Sequence, residues 1–143
     1  MKVITSAPIY YKKNDLHSNL EGNSINILKK WKDNIDSRNL EGTVNTYSEN
    51  AILVSTFGDI IKGKEGIKKY FQDLFKKDKL KVEYIEKPFV NTMDNFTMYT
   101  GIYQFTYIEN GKEKSVKARY SIISKPIAGK QFIVKQHSSE VPN

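Results

Sequence analysis

The sequence predicts an α+β fold, with three N-terminal helices packed on one face of a mostly antiparallel sheet. Three observations predict it. Apolar residues recur at helical spacing in the first half, at Ile27, Leu28, Trp31 and Ile35 and again at Ile67, Tyr70, Phe71, Leu74 and Phe75. The second half alternates instead, over long segments rich in Tyr, Phe, Ile, Val and Thr. Between two of these segments stands Asn110-Gly111, a strong hairpin signal.

The elements follow in order. Residues 1–22 are polar and weakly periodic, which marks an N-terminal extension, with the domain proper at 23–143. Ile9, Tyr10 and Tyr11 form a small apolar cluster there, able to dock on the domain or on a neighbour. A first helix is expected over 24–37, capped by Asn23 or Ser24 and broken at Arg38-Asn39. Leu40, Val44 and Tyr47 give a second, shorter helical stripe. Residues 51–56 read as a strand, Gly58-Asp59 as a turn and 60–62 as the return strand of a hairpin. The third helix is expected over 64–77, with Lys64, Lys68, Lys69, Lys76 and Lys77 opposite its apolar face. Residues 80–91 alternate imperfectly, 95–109 form a long strand, 115–124 pair back, 126–130 turn, and 131–139 end the sheet.

Composition narrows the function. The chain has 143 residues, one domain's worth, and no cysteine, which removes disulfides, thiolate metal sites and cysteine nucleophiles. With only His17 and His137, no metal or other cofactor is expected. The net charge is +7, yet 21 of the 23 basic residues are lysines and only Arg38 and Arg119 are arginines. A phosphate-reading surface leans on arginine forks, so the charge reads as a lysine-coated surface, with neither nucleic acid nor membrane as partner. Lys79 and Lys81 extend the basic face of the third helix, but Glu65, Asp73 and Asp78 dilute it. No signal-peptide core or membrane-length apolar run is present, and a cytoplasmic location is expected.

The strand over 95–109 is apolar on both faces: Phe96, Met98, Ile102 and Ile108 alternate with Tyr99, Tyr103, Phe105 and Tyr107. Helices cover one face of such a sheet. The simplest cover for the other is a second copy in a two-fold dimer. The alternative is that Tyr and Thr tolerate exposure on strands.

Several segments carry a family resemblance. Trp31, Leu40-Glu41-Gly42, Tyr47, Ala51-Ile52-Leu53-Val54 and Lys62-Gly63-Lys64-Glu65-Gly66-Ile67-Lys68-Lys69-Tyr70-Phe71 resemble the opening half of the nuclear transport factor 2-like superfamily. Ala118-Arg119-Tyr120-Ser121 and the ending from Val134 through His137-Ser138-Ser139 to Pro142 resemble one branch of it. That branch holds the association (hub) domain of calcium/calmodulin-dependent protein kinase II and its SgcJ/EcaC-like bacterial relatives. The resemblance implies a cone-like barrel whose curved sheet wraps around the first helix, leaves a deep pocket, and builds dimers or larger rings. It also implies a pocket lined by arginines, of which one matches Arg119; the other two fall near Tyr103 and Ser138, neutral hydroxyls here.

Alternation groups Arg119 with Lys117, Ser121 and Ile123. A turn through 126–130 sets Arg119 opposite about Gln136, on the face of Phe132, Val134, Gln136 and Ser138. A pocket centred on Arg119 and walled by Trp31, Tyr47, Tyr99 and Tyr103 suits a small carboxylate or another polar anion. Alternatively, Arg119 pairs with a local carboxylate and holds the strands together. His137 and Ser138, adjacent on a strand, point to opposite faces, which argues against Ser–His hydrolysis and sets His137 on the outer surface. The main expectation is thus a homo-oligomeric small-ligand-binding domain. A SnoaL-like metal-free enzyme working by proton transfer is the first alternative, with Asp59 and Glu83 as the remaining base candidates. A pure assembly module with a vestigial pocket is the second.

Overall fold

In the computed structural model, which describes residues 26–142, helices and strands follow in the order the periodicities predict. They are α1 (Asn26–Asp36), α2 (Leu40–Val44), β1 (Tyr47–Val54), β2 (Ile60–Lys62), α3 (Gly63–Leu74), β3 (Asp78–Tyr84), β4 (Phe89–Met93), β5 (Phe96–Glu109), β6 (Lys112–Ile127) and β7 (Lys130–Glu140). The extension at 1–22 and the caps at Asn23 and Ser24 lie outside the described residues.

The α1 stripe of Ile27, Leu28, Trp31 and Ile35 is buried. On its flank Lys29–Asp33 and Lys32–Asp36 pair one turn apart, each at 2.6 Å. Asp36 also accepts from the Val82 N–H at 3.0 Å and Lys32 donates to the Val82 carbonyl at 2.9 Å, which ties α1 to β3. Asn39 caps α2 by accepting from the Gly42 N–H at 2.9 Å. Tyr47 belongs to β1 rather than to a helical stripe. The imperfect segment over 80–91 is two strands, broken just before β4 at Pro88, which has no N–H to donate.

The strands form one seven-stranded sheet in the order β2-β1-β7-β6-β5-β3, with β4 also on β5. The sheet is curved and unclosed. The β1–β7 pairing is parallel and the other pairings are antiparallel. Both long hairpins turn on two residues with positive φ, Asn110-Gly111 and Ala128-Gly129, the geometry that matches the twist of the flanking strands. Helices α1 and α3 lie on the concave face, where Trp31 stacks on Tyr103 and Phe71 packs on Tyr47. No described helix is long and apolar enough to cross a membrane.

One irregularity decides which side chains point inward. The β6–β7 register shifts between Ser124, opposite Ile133, and Ile123, opposite Lys135, so Val134 is an extra residue in β7. Ile133 and Gln136, three apart, are therefore both buried, and Ser138 follows them inward. A straight strand would bury Lys135 and His137 instead. Leaving one residue out of the ladder costs less than placing a lysine in an apolar core.

Candidate functional site

The concave face carries a continuous chain of uncharged hydrogen bonds. The Trp31 indole N–H donates to the Tyr47 hydroxyl at 2.9 Å, and that hydroxyl donates to Gln136 Oε1 at 2.5 Å. Gln136 Nε2 donates to the Tyr103 hydroxyl at 2.9 Å, which donates to Ser138 Oγ at 2.9 Å. Ser138 in turn bonds the Thr56 hydroxyl. Three strands, the loop after β1 and α1 contribute, so the chain crosses the core from helix to sheet. Trp31, Tyr103 and Tyr120 stack face to face beside it, with centroids 5.2 and 4.5 Å apart.

These phenols stay neutral. Burial pushes Tyr103 up to about 12, partly offset by its bonds to Ser138, Gln136 and Thr56. Burial likewise raises Tyr47 well above the usual phenol value, against the lowering effect of the Trp31 N–H. The chain borders a cavity of about 10 Å³, lined by Ser55, Thr56, Tyr70, Phe105, Gln136 and Ser138 among others. That is room for about one water molecule.

Of the seven residues singled out in the sequence, five converge here: Trp31, Tyr47, Tyr103, Gln136 and Ser138. Tyr99 is buried on the same face but lines neither the chain of bonds nor the cavity. Arg119 requires a correction. It is exposed on the convex face, opposite Ile102 and Ser139. The two-residue turn and the Val134 bulge together move its β7 partner from about Gln136 to Ser139, an odd number of residues, which reverses the face. Arg119 lines neither the cavity beside the hydrogen-bond chain nor the surface hollow at Lys76, Lys77 and Tyr107. None of the ion pairs among the described residues involves it either, so a local carboxylate does not hold it. His137 is on the convex surface, as expected.

Thr56, Ser55 and Tyr70 are cavity residues that the sequence reading missed. Ser55 was in phase with the inward-facing Ala51 and Leu53, a usable signal; Thr56 follows the end of β1 and carried none. Among the described residues the buried polar side chains are Thr, Ser and Gln, with no carboxylate or histidine. Asp59 is exposed, and Glu83 is largely so and 3.6 Å from Lys32. No three potential metal-ligating side chains converge among the described residues. The lysine face of α3 is dispersed: Lys76 pairs with Asp73 at 3.3 Å, and Lys77 lies over the Tyr107 ring at 4.3 Å.

The model of the calcium/calmodulin dependent protein kinase II association domain matches residues 21–142, nearly the whole chain. The chain belongs to that family. No curated protein matches it significantly. Among solved structures, a Xanthomonas campestris protein assigned to the same association domains is similar over 99% of both chains, at 22% identity and a TM-score of 0.77. The S. rosetta CaMKII hub is similar over 82% of this chain and 93% of its own, at 15% identity and a TM-score of 0.71. A nuclear transport factor 2-like protein from Salmonella enterica is similar over 92% and 95%, at 15% identity and a TM-score of 0.74. The association domain thus has the nuclear transport factor 2-like fold.

Its convex face is built in rungs across four strands. Met98, Ile123, Lys135 and Ile52 form one, and Thr100, Ser121, His137 and Val54 the next. Ile102, Arg119 and Ser139 form a third. The aliphatic members are half-buried by their lateral neighbours alone, and Ile60, at the edge beside Val54, is 72% exposed.

Proposed function

We propose that this association domain is a self-associating module whose convex sheet face packs against a second copy. The carrying observation is that face: Ile52, Val54, Met98, Ile102 and Ile123 lie on adjacent rungs with both packed helices on the opposite side. The four strands of these rungs, about 4.8 Å apart and about seven residues each, span roughly 19 by 23 Å. That is about half of the ~800 Å² each partner gives to a stable interface, and β2 and β3 extend the face on either side. Family membership supports the same reading. The interior fits it too, because a cavity the size of one water, walled by neutral groups, suits a rigid core better than an anion site. Proton transfer would need a base inside, and the described core holds no carboxylate or imidazole.

Sedimentation equilibrium tests the proposal. The wild-type chain is expected to be dimeric or larger at about 100 μM, since interfaces of this size reach micromolar affinity or better. Ile123→Lys, a further positive charge opposite Lys135 at the centre of the face, is expected to give a folded monomer. A wild-type monomer at that concentration overturns the reading.

A further inference from the structure

The convex face is not simply apolar. Lys117 and Arg119 follow one another along it on β6, and Lys135 and His137 on β7, all four exposed. Ser121 stands opposite His137 and Arg119 opposite Ser139, so Arg119 and His137 are diagonal neighbours, with Cβ atoms about 7–8 Å apart. Hydroxyls fill the positions between them: Thr100, Ser121 and Ser139.

Among the described residues no carboxylate shares the rungs of Arg119, His137 or Lys135. Glu140 stands opposite Ala118, between Lys117 and Arg119 but in the alternate phase. Glu83 is on the rung of Lys117, two strands out through Gln104, and 3.6 Å from Lys32. None of the ion pairs among the described residues uses Lys117, Arg119 or Lys135. The extension is no natural counter-charge either, because residues 1–22 carry three lysines against Asp15 and Glu21.

Cations and aliphatics alternate on the same rungs: Lys135 lies between Ile123 and Ile52, and Arg119 beside Ile102. A second copy cannot cover the aliphatic residues without also covering the cations. Under two-fold symmetry it brings the same cations with it. Like charges in a closing interface oppose it, and desolvation sharpens the opposition.

We propose that this face is an anion-linked interface, in which a multivalent oxyanion of the phosphate class seats on Lys117 and Arg119, two residues apart on β6, with Lys135 two rungs from Arg119 adding to the positive field, and lets two copies close. The inference rests on the self-association reading and names what regulates it. The Arg119 fork matches a tetrahedral oxyanion, the lysines add point charge, and the serine and threonine hydroxyls supply neutral donors. Bound anion favours the dimer by mass action, so assembly follows anion concentration.

Sedimentation equilibrium in inorganic phosphate against chloride, at matched ionic strength and pH, reads this directly. The dimer constant is expected to tighten about tenfold or more in phosphate. A parallel arm with glycerol phosphate tells whether the face takes a phosphate monoester or only the free ion. The Arg119→Gln/Lys135→Gln double variant, its folding checked by circular dichroism, is expected to dimerise in chloride about as well as wild type does in phosphate, and to lose the phosphate response. Equal wild-type constants in both salts overturn the anion link. So does a phosphate response that survives in the double variant, because phosphate also strengthens apolar association generally. A chain that stays monomeric in every buffer removes the self-association reading itself, a different outcome from a dimer that ignores phosphate.

Discussion

Raising the pH through the range of the phenols should unfold this domain in a single step. Tyr47, Tyr70, Tyr84, Tyr103 and Tyr120 are all raised above an ordinary phenol, each chiefly by burial. In the unfolded chain each releases its proton near pH ~10; in the folded chain each holds it longer. The stabilisation is therefore fully present below pH ~10 and is lost as pH rises toward the folded values. Tyr103, at about 12, contributes on the order of 3 kcal/mol across that interval. Five protons lost together change stability by about 7 kcal/mol per pH unit. A domain stable by ~5–15 kcal/mol then unfolds within about one to two units above pH 10, near or below the value at which Tyr103 would ionise in place. Ultraviolet absorbance of tyrosinate and near-ultraviolet circular dichroism, followed in one titration, should change together. If five or more tyrosines ionise near pH ~10 while the dichroism persists, these phenols are not buried as described.

Other substitutions test single contacts. Gln136→Met keeps the volume but removes both the acceptor for Tyr47 and the donor to Tyr103, and should cost about 2–4 kcal/mol in chemical denaturation. Combined with Tyr103→Phe, it should cost less than the two single changes added, by about 1 kcal/mol, because both remove the same bond. Arg119→Ala should leave stability within about 0.5 kcal/mol, the opposite of what an arginine in the core would give. Gly101→Ala places a Cβ 2.9 Å from the Tyr120 hydroxyl and 3.2 Å from its ring. That ring is stacked on Tyr103, so thermal melts should show a loss of about 1–3 kcal/mol.

The fold was readable because its signals are periodic and long. The α1 and α3 stripes, the two-sided β5 strand and Asn110-Gly111 each repeat one physical rule over many residues. The site was half readable for the same reason. Tyr103, Gln136 and Ser138 were grouped correctly because alternation near the end of a strand survives if the face is guessed rightly. Arg119 was misplaced because its face depends on a count across the β6–β7 turn. Val134 is apolar like its neighbours Phe132 and Ile133, so nothing in the local pattern marks it as the extra residue. Thr56 lies past the end of β1, where strand periodicity no longer assigns a direction.

An indole nitrogen has a proton to give and no lone pair to receive one. Trp31 therefore sets the sense of every link below it. Tyr47 must pass its proton to Gln136, the amide must present its nitrogen to Tyr103, and Tyr103 must pass its proton to Ser138. Ser138 and Thr56 then share two protons across one bond, which leaves one over at the end that lines the cavity. A water molecule there meets a donor. The sense is set by a tryptophan whose ring borders the same cavity, so that exchanging Trp31 for phenylalanine would free the whole row to point either way.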